Sequence, residues 1–182
     1  MSETWISVDL ETNGAVPGLF DLVSIGACVI GDTSKTFYVE VSPQGLKVDP
    51  EATAIHKLTG DYLSCVGYDV ETAVARFIDW VKYKTGSTRP VFCSWGTFDW
   101  MWVGWHLERY GKRYTAPFGP NSLDLKSYYL GLIKGREWRT AQKRWMPKED
   151  LRGRHTHNAL DDAIEQAEMV EGWWEKYGGQ PV

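Results

Sequence analysis

The sequence predicts an α/β fold, a mixed sheet flanked by helices, and three observations carry that prediction. Short alternating or wholly apolar runs fill the first part of the chain. Apolar residues at helical spacing of three and four follow, interleaved with further short apolar runs. The links between the first three runs are too short to contain a crossover helix, so those strands form an antiparallel meander. With 182 residues, no internal repeat and no linker, the chain reads as one domain, residues 1–182, around one sizeable core.

Residues 4–10, Thr-Trp-Ile-Ser-Val-Asp-Leu, alternate and are rich in β-branched and aromatic side chains, which predicts the first strand. Asn13-Gly14 and Pro17-Gly18 then break the chain. Residues 22–30 are nearly continuously apolar, as in a fully buried strand, and residues 35–42 alternate again up to Pro43. Gly31 to Ser34 is the turn between them. Asp69 is suited to cap a helix whose Val70, Ala73, Val74, Phe77, Ile78 and Val81 share a face and which ends near Gly86. Pro90 opens a short buried strand over 91–95. Thr97 is suited to cap a helix from Phe98 to Tyr110 that Gly111 stops. A further helix is predicted over about 124–134, and a last one over about 158–177. The last buries Leu160, Ala163, Ile164, Ala167, Val170 and Trp174 on one face and ends at Gly178-Gly179.

Composition narrows the class. At 43% hydrophobic and 24% charged residues the chain is globular rather than disordered. No apolar run approaches the roughly 20 residues of a membrane helix, and the polar start of the chain is unlike a secretory signal. Cys28, Cys65 and Cys93 are too few and too scattered for a disulfide framework or a CxxC zinc site; each has apolar sequence neighbours, which predicts a reduced, intracellular protein of the cytoplasm. The net charge of −4 argues weakly against a polyanionic partner, but its distribution is uneven. Residues 134–154 carry eight basic and three acidic side chains, a local +5 that leaves −9 for the remainder. Part of that negative charge fits a metal site, which does not repel a phosphate once its ions are bound.

Asp9 and Glu11, two apart on a strand, project from one face. Two carboxylates so placed repel each other unless one is protonated or a cation lies between them, and an oxygen cluster suits Mg²⁺ or Mn²⁺. The plain alternative is a strand ending in solvated acids. Asp99, after a buried strand and at a helix start, also reads as an ordinary first-turn acid. His157 at a helix entry and Asp162 inside the helix can share a cleft, although helix N-termini attract acids without any such role.

Taken together, Asp9-Leu10-Glu11, Phe98-Asp99 and His157-x₄-Asp162 resemble the DnaQ-like family of 3′-5′ exonucleases, in its DEDDh subgroup, which includes proofreading exonucleases, RNase T and oligoribonuclease. Flanking segments agree: Glu11-Thr12-Asn13-Gly14, Ser24-Ile25-Gly26-Ala27 and Ile55-His56-Lys57-Leu58-Thr59 are each similar to family patterns, and the resemblance spans roughly residues 5 to 172. It implies a ribonuclease H-like, mixed five-stranded sheet and a metal-dependent 3′-5′ exonuclease acting on single-stranded RNA or DNA. Asp9, Glu11, Asp99 and Asp162 would hold two divalent cations, Mg²⁺ or Mn²⁺, and His157 would take a proton from the attacking water. Asp162 rather than Asp161, and His157 rather than His155, fit the His-x₄-Asp register. Thr12, Asn13, Ile55 and His56 would grip the terminal nucleotide, and Trp95 and Phe98 would contact it as well. For His56 the plain alternative is a core or capping histidine with satisfied nitrogens.

The chain departs from the family at Ser94-Trp95-Gly96-Thr97, where His-Asn often precedes Phe-Asp; Trp95 there substitutes stacking for a hydrogen bond. Ser-Trp-Gly is similar to some exoribonucleases of the superfamily and tilts the expected substrate towards RNA. Trp138 and Trp145, among Lys and Arg, fit either a single-strand-binding surface or a solvated basic helix whose tryptophans enter the core or a dimer contact. Trp100, Trp102 and Trp105 have the spacing of core residues. Several relatives dimerise, so a homodimer stays open. Two other readings also stay open: a proofreading subunit, disfavoured because the chain shows no polymerase domain or tethering tail, and a non-catalytic binding module, disfavoured because all five chemical residues are present. A zinc enzyme is disfavoured because His155-x-His157 lacks a suitably spaced third soft ligand.

Overall fold

Five strands make one mixed sheet in the order β3-β2-β1-β4-β5. The structure, a computed structural model, describes residues 2–111, 116–153 and 155–179; Arg154 of the basic stretch and Met1 lie outside the described residues. β1 (Glu3–Thr12), β2 (Leu22–Val29) and β3 (Asp32–Glu40) form the predicted antiparallel meander. β4 (Arg89–Ser94) and β5 (Ser122–Asp124) add in parallel on the other side of β1. β3 begins three residues before its predicted start. Gly31, at φ +95°, lets the hairpin reverse in less chain than Gly31 to Ser34, and a register shift between Cys28 and Val29 absorbs the extra residues.

Alternation along β1 divides the interior in two. Ile6, Val8 and Leu10 face α3 (Val70–Thr85) and α4 (Phe98–Tyr110), packing with Phe77, Trp102 and Val103. The opposite face is covered by α5 (Leu125–Leu132) and α6 (Ala159–Tyr177), where Tyr129, Ala167, Val170 and Trp173 are buried. Ser7, Asp9 and Glu11 alternate with the first set, so the acidic end of β1 looks towards α6. Trp102 is fully buried and Trp100 packs on Phe92 and Phe118, as their spacing predicts.

Asp69 and Asn158 cap α3 and α6 through their side chains, and Asp124 caps α5 from just outside it. Thr97 precedes α4 without a side-chain cap bond, because its backbone (φ −108°, ψ −1°) is already near helical and does not aim the hydroxyl at the free N–H groups. Two helices lie outside the predicted set, α1 (Pro50–His56) and α2 (Gly60–Val66). Each has seven residues and buries one side chain, too little to create a periodic signal. Their caps were the available signal: Asp49 followed by Pro50 at the first turn, and Thr59 accepting from Tyr62 N. The basic stretch is no continuous helix but three 3₁₀ turns, Trp138–Ala141, Lys143–Trp145 and Lys148–Asp150. Cys28 and Cys93 are buried, whereas Cys65 is exposed on α2 rather than set among apolar neighbours; all three are free thiols. Among the described residues no helix is long and apolar enough to cross a membrane.

Candidate active site

Three distant parts of the chain meet at the carboxyl ends of β1 and β4. Asp9 and Glu11 come from the end of β1, Asp99 from the first turn of α4, and Asp162 from the first turn of α6. Gly26 makes the last approach possible. It pairs with Asp9 across β1 and β2, and a Cβ built there would stand 2.1 Å from the Ala159 carbonyl carbon. The backbone of α6 therefore lies directly on the sheet, which carries Asp162 to Asp9 and Glu11. Carboxylate oxygens of these three lie within 4.8 Å of one another.

Gly96 makes the second approach. Its φ of +89° bends the chain between β4 and α4, and its N–H donates to Asp124 Oδ1 at 2.9 Å. The turn delivers Trp95, Phe98 and Asp99 to a cleft of about 410 Å³ that Asp9, Glu11 and His157 also line.

The electrostatics are those of crowded, partly dehydrated acids. Burial, then repulsion from Asp99, Glu11 and Asp162, holds the Asp9 carboxyl well above the usual range. Burial, then Asp162 and Asp99, pushes Glu11 from 4.5 to about 8, and burial pushes Asp99 up to about 7. Asp162, fully buried, accepts from Thr156 N at 2.7 Å and His157 N at 2.9 Å, and His155 Nδ1 stands 3.0 Å from its Oδ2. These bonds hold the loop that presents His157, whose backbone sits at φ +59°. Asp161 is exposed, as the register predicts.

Three polar residues outside the predicted set share the cleft: Gln166, Lys143 and His155. Gln166, 2% exposed, donates through Nε2 to Asp9 Oδ1 at 2.8 Å, while its Oε1 is buried without a partner among the described residues. Its signal in the sequence was position: four residues after Asp162, it lies on the same helix face. Lys143 pairs with Glu165 and stands 5.2 Å from the centre of the Trp95 ring. His155 directs its Nδ1 to Asp162 and, at 3.6 Å, to Glu165.

Of the residues expected at the terminal nucleotide, Trp95 and Phe98 line the cleft and Ile55 is exposed. Thr12, Asn13 and His56 are buried and bonded internally. Thr12 Oγ1 donates to Gly14 O at 2.9 Å. His56 Nδ1 accepts from Leu58 N, so Nε2 carries the proton and donates to Asn13 Oδ1 at 3.2 Å; burial lowers its pKa and keeps the ring neutral.

The Asp9, Glu11 and Asp162 donors fit a hard divalent cation: carboxylate oxygens that repel one another, with an amide oxygen beside them; imidazole nitrogens of His155 and His157 also lie within 4.8 Å of Asp162. One consequence is measurable. The raised Glu11 carboxyl contributes stability that is complete below its unfolded value near 4.5 and is lost as pH rises through about 8. The metal-free protein is therefore expected to melt at lower temperature at pH 9 than at pH 5.5, with Mg²⁺ restoring most of the difference. Thermal melts with EDTA or Mg²⁺, compared with a Glu11→Gln chain whose profile is flatter, check this. Equal slopes in both chains would remove Glu11 from the metal site.

Comparison with known proteins gives the class, the 3′-5′ exonucleases. The chain belongs to the family described as the 3′-5′ exoribonuclease Rv2179c-like domain, whose model matches residues 4–174. It is 32% identical over 172 residues to the 3′-5′ DNA exonuclease Cap18 of Escherichia coli, covering 92% of this chain and 89% of that protein. Among solved structures, the nuclease domain of 3′hExo, a DEDDh family member bound to rAMP, superposes with a TM-score of 0.73 at 16% identity, over 100% of this chain and 96% of that one. E. coli Exonuclease I with a dT13 oligonucleotide superposes at 0.72 and 15% identity, over 96% of this chain but only 41% of that larger protein. The chain is a 3′-5′ exonuclease, and its fold is that of the DEDDh enzymes.

Proposed function

We propose that the protein shortens single-stranded nucleic acid from its 3′ end and releases nucleoside 5′-monophosphates one at a time. The observation that carries this reading is the convergence of Asp9, Glu11 and Asp99 on one cleft that also presents His157, with the buried Asp162 carboxylate within 4.8 Å of those of Asp9 and Glu11. The four carboxylates would hold two divalent ions, Mg²⁺ or Mn²⁺. When bound, such ions supply the positive charge that stabilises the attacking and leaving oxygens of an in-line displacement.

The chain's own residues do the rest. His157, held at the cleft by the Asp162 bonds to its loop, removes a proton from the attacking water. His155 shares the cleft with its Nδ1 beside Asp162 and Glu165, and the His-x₄-Asp register selects His157 as the base. Trp95 and Phe98 offer ring faces to the terminal bases, and exposed Ile55 adds an apolar contact. The buried Thr12, Asn13 and His56 fix the backbone on which Ile55 stands. Gln166 holds Asp9 in one rotamer by donating to it. Gln166→Leu is expected to weaken Mg²⁺ binding by about 10–100-fold. Calorimetric titration with Mg²⁺ reads this directly, and unchanged affinity would reduce Gln166 to a packing residue.

Ser94-Trp95-Gly96 and the family's description support RNA as the substrate, while the name of the curated relative supports DNA. Only contacts to the 2′-hydroxyl separate the two. The deciding experiment is a time course on 5′-labelled RNA and DNA single strands with Mg²⁺, Mn²⁺ or EDTA. Stepwise shortening that EDTA stops supports the reading and identifies the sugar; binding without cleavage in either metal overturns it.

A further inference from the structure

The basic stretch displays an arrangement opposite to what folding favours. It anchors itself through Ala141, Met146 and Asp150, all buried, while Trp138 stays 48% exposed and Trp145 63% exposed. A tryptophan carries the largest apolar surface of any side chain, so a segment that buries alanine and exposes two tryptophans holds them outward for another reason. The anchor is firm. Asp150 accepts from Tyr129 Oη and Tyr177 Oη at 2.7 Å each and from Lys176 Nζ at 2.6 Å, and its carbonyl accepts from Trp173 Nε1 at 2.9 Å.

Each outward ring has a cation beside it. Lys126 Nζ lies 4.5 Å from the Trp138 ring centre, and Arg144 Cζ lies 5.8 Å from that of Trp145. The series continues into the cleft, where Lys143 Nζ stands over Trp95. Trp138 and the cleft are tied to the same sheet edge: Asp124 Oδ1, at the end of β5, accepts from both Gly96 N and Lys126 N. Beside the second ring, Trp145, a hollow of about 340 Å³ opens that Arg139 and Thr140 also line.

We propose that this surface, from Trp95 and Lys143 across Lys126 and Trp138 to Arg144 and Trp145, binds the single strand upstream of the nucleotide being removed. Rings stack on bases of any sequence and neighbouring cations meet the phosphates, which is the chemistry of sequence-tolerant single-strand binding. The proposal rests on the reading that the cleft degrades a nucleic acid from its 3′ end. A second copy of the chain is the competing occupant. A two-fold contact places the same patch against itself, so it would set one segment of +5 charge against another, whereas a phosphate backbone neutralises it.

The test compares hydrolysis of a dinucleotide with that of a 12-nucleotide single strand, in the wild type and in Trp138→Ala/Trp145→Ala. Binding of the 12-mer is measured in EDTA alongside. The double variant is expected to lose about tenfold or more in kcat/KM and in affinity for the 12-mer, while its dinucleotide rate is unchanged. Arg144→Ala should make 12-mer affinity less dependent on salt. Variants that bind and cleave the 12-mer like the wild type overturn the proposal. So does a double variant whose only change is from dimer to monomer. A wild type that binds the 12-mer through these tryptophans yet cleaves nothing would uphold the surface and overturn the proposed function instead.

Discussion

Asp9→Asn is expected to reduce hydrolysis by more than about 100-fold while raising the melting temperature of the metal-free protein. Ligands matter at least as much as the groups that orient them, whose loss already costs about 10–100-fold. The stability gain follows from the same geometry. Asp9 is dehydrated and faces Asp99, Glu11 and Asp162, so its negative charge opposes folding until cations are bound. An amide of equal size removes that charge and can still face Gln166. The stabilising effect of Mg²⁺ should shrink with the activity. Turnover at the wild-type rate would eliminate Asp9 as a ligand; lost activity with lower stability would point to a packing role. Asp162→Asn should lose as much activity without that gain, because Asp162 also accepts from Thr156 N and His157 N. Freeing those bonds releases the His157 loop. His157→Ala, which leaves the carboxylates in place, should slow hydrolysis by about 10²–10⁴-fold and spare metal affinity.

Gly26→Ala is expected to damage both fold and activity through a single methyl group. The built Cβ meets Ala159 C, Ala159 O and Leu160 N, all backbone and all closer than 2.3 Å. Backbone cannot rotate aside as a side chain can, so α6 must lift from β2. Overpacking of this kind costs about 1–3 kcal/mol, which for a chain of this size is roughly 3–10 °C in melting temperature. Lifting the first turn of α6 also withdraws Asp162 and its loop from Asp9 and Glu11. Melting curves and kcat/KM should therefore fall together, and Mg²⁺ should bind more weakly. A variant that loses stability but retains full activity would show that the sheet bends to accommodate the methyl and the site does not depend on this approach.

Patterning alone made most of the architecture legible. Alternation marked β1, a continuous apolar run marked β2, and helical periodicity marked α3, with Asp69 as its cap, and α6. These signals are strong because each element buries a long apolar face. α1, α2 and three-residue β5 bury too little to write such a pattern, and the basic stretch turns too often to keep one.

The five proposed site residues came forward for a different reason. Asp9 with Glu11 on one strand face, or His157 with Asp162 across a helix start, fits an ordinary strand end or helix start when taken alone; only their joint order resembles an exonuclease pattern. What spacing cannot report is which side chains arrive from elsewhere. Gln166 on Asp9, His155 on Asp162 and Lys143 over Trp95 exist only because α6 lies against Gly26 and the 3₁₀ turns pack beside it. The direction of a polar group is equally hidden. Asn13 and His56 satisfy each other inside the protein, whereas Trp138 and Trp145 stand outside it. The sequence by itself determined the long elements and which residue types they carry, because periodicity and residue type are local properties. Only the tertiary structure decided which groups meet, since distance and burial depend on how the layers pack.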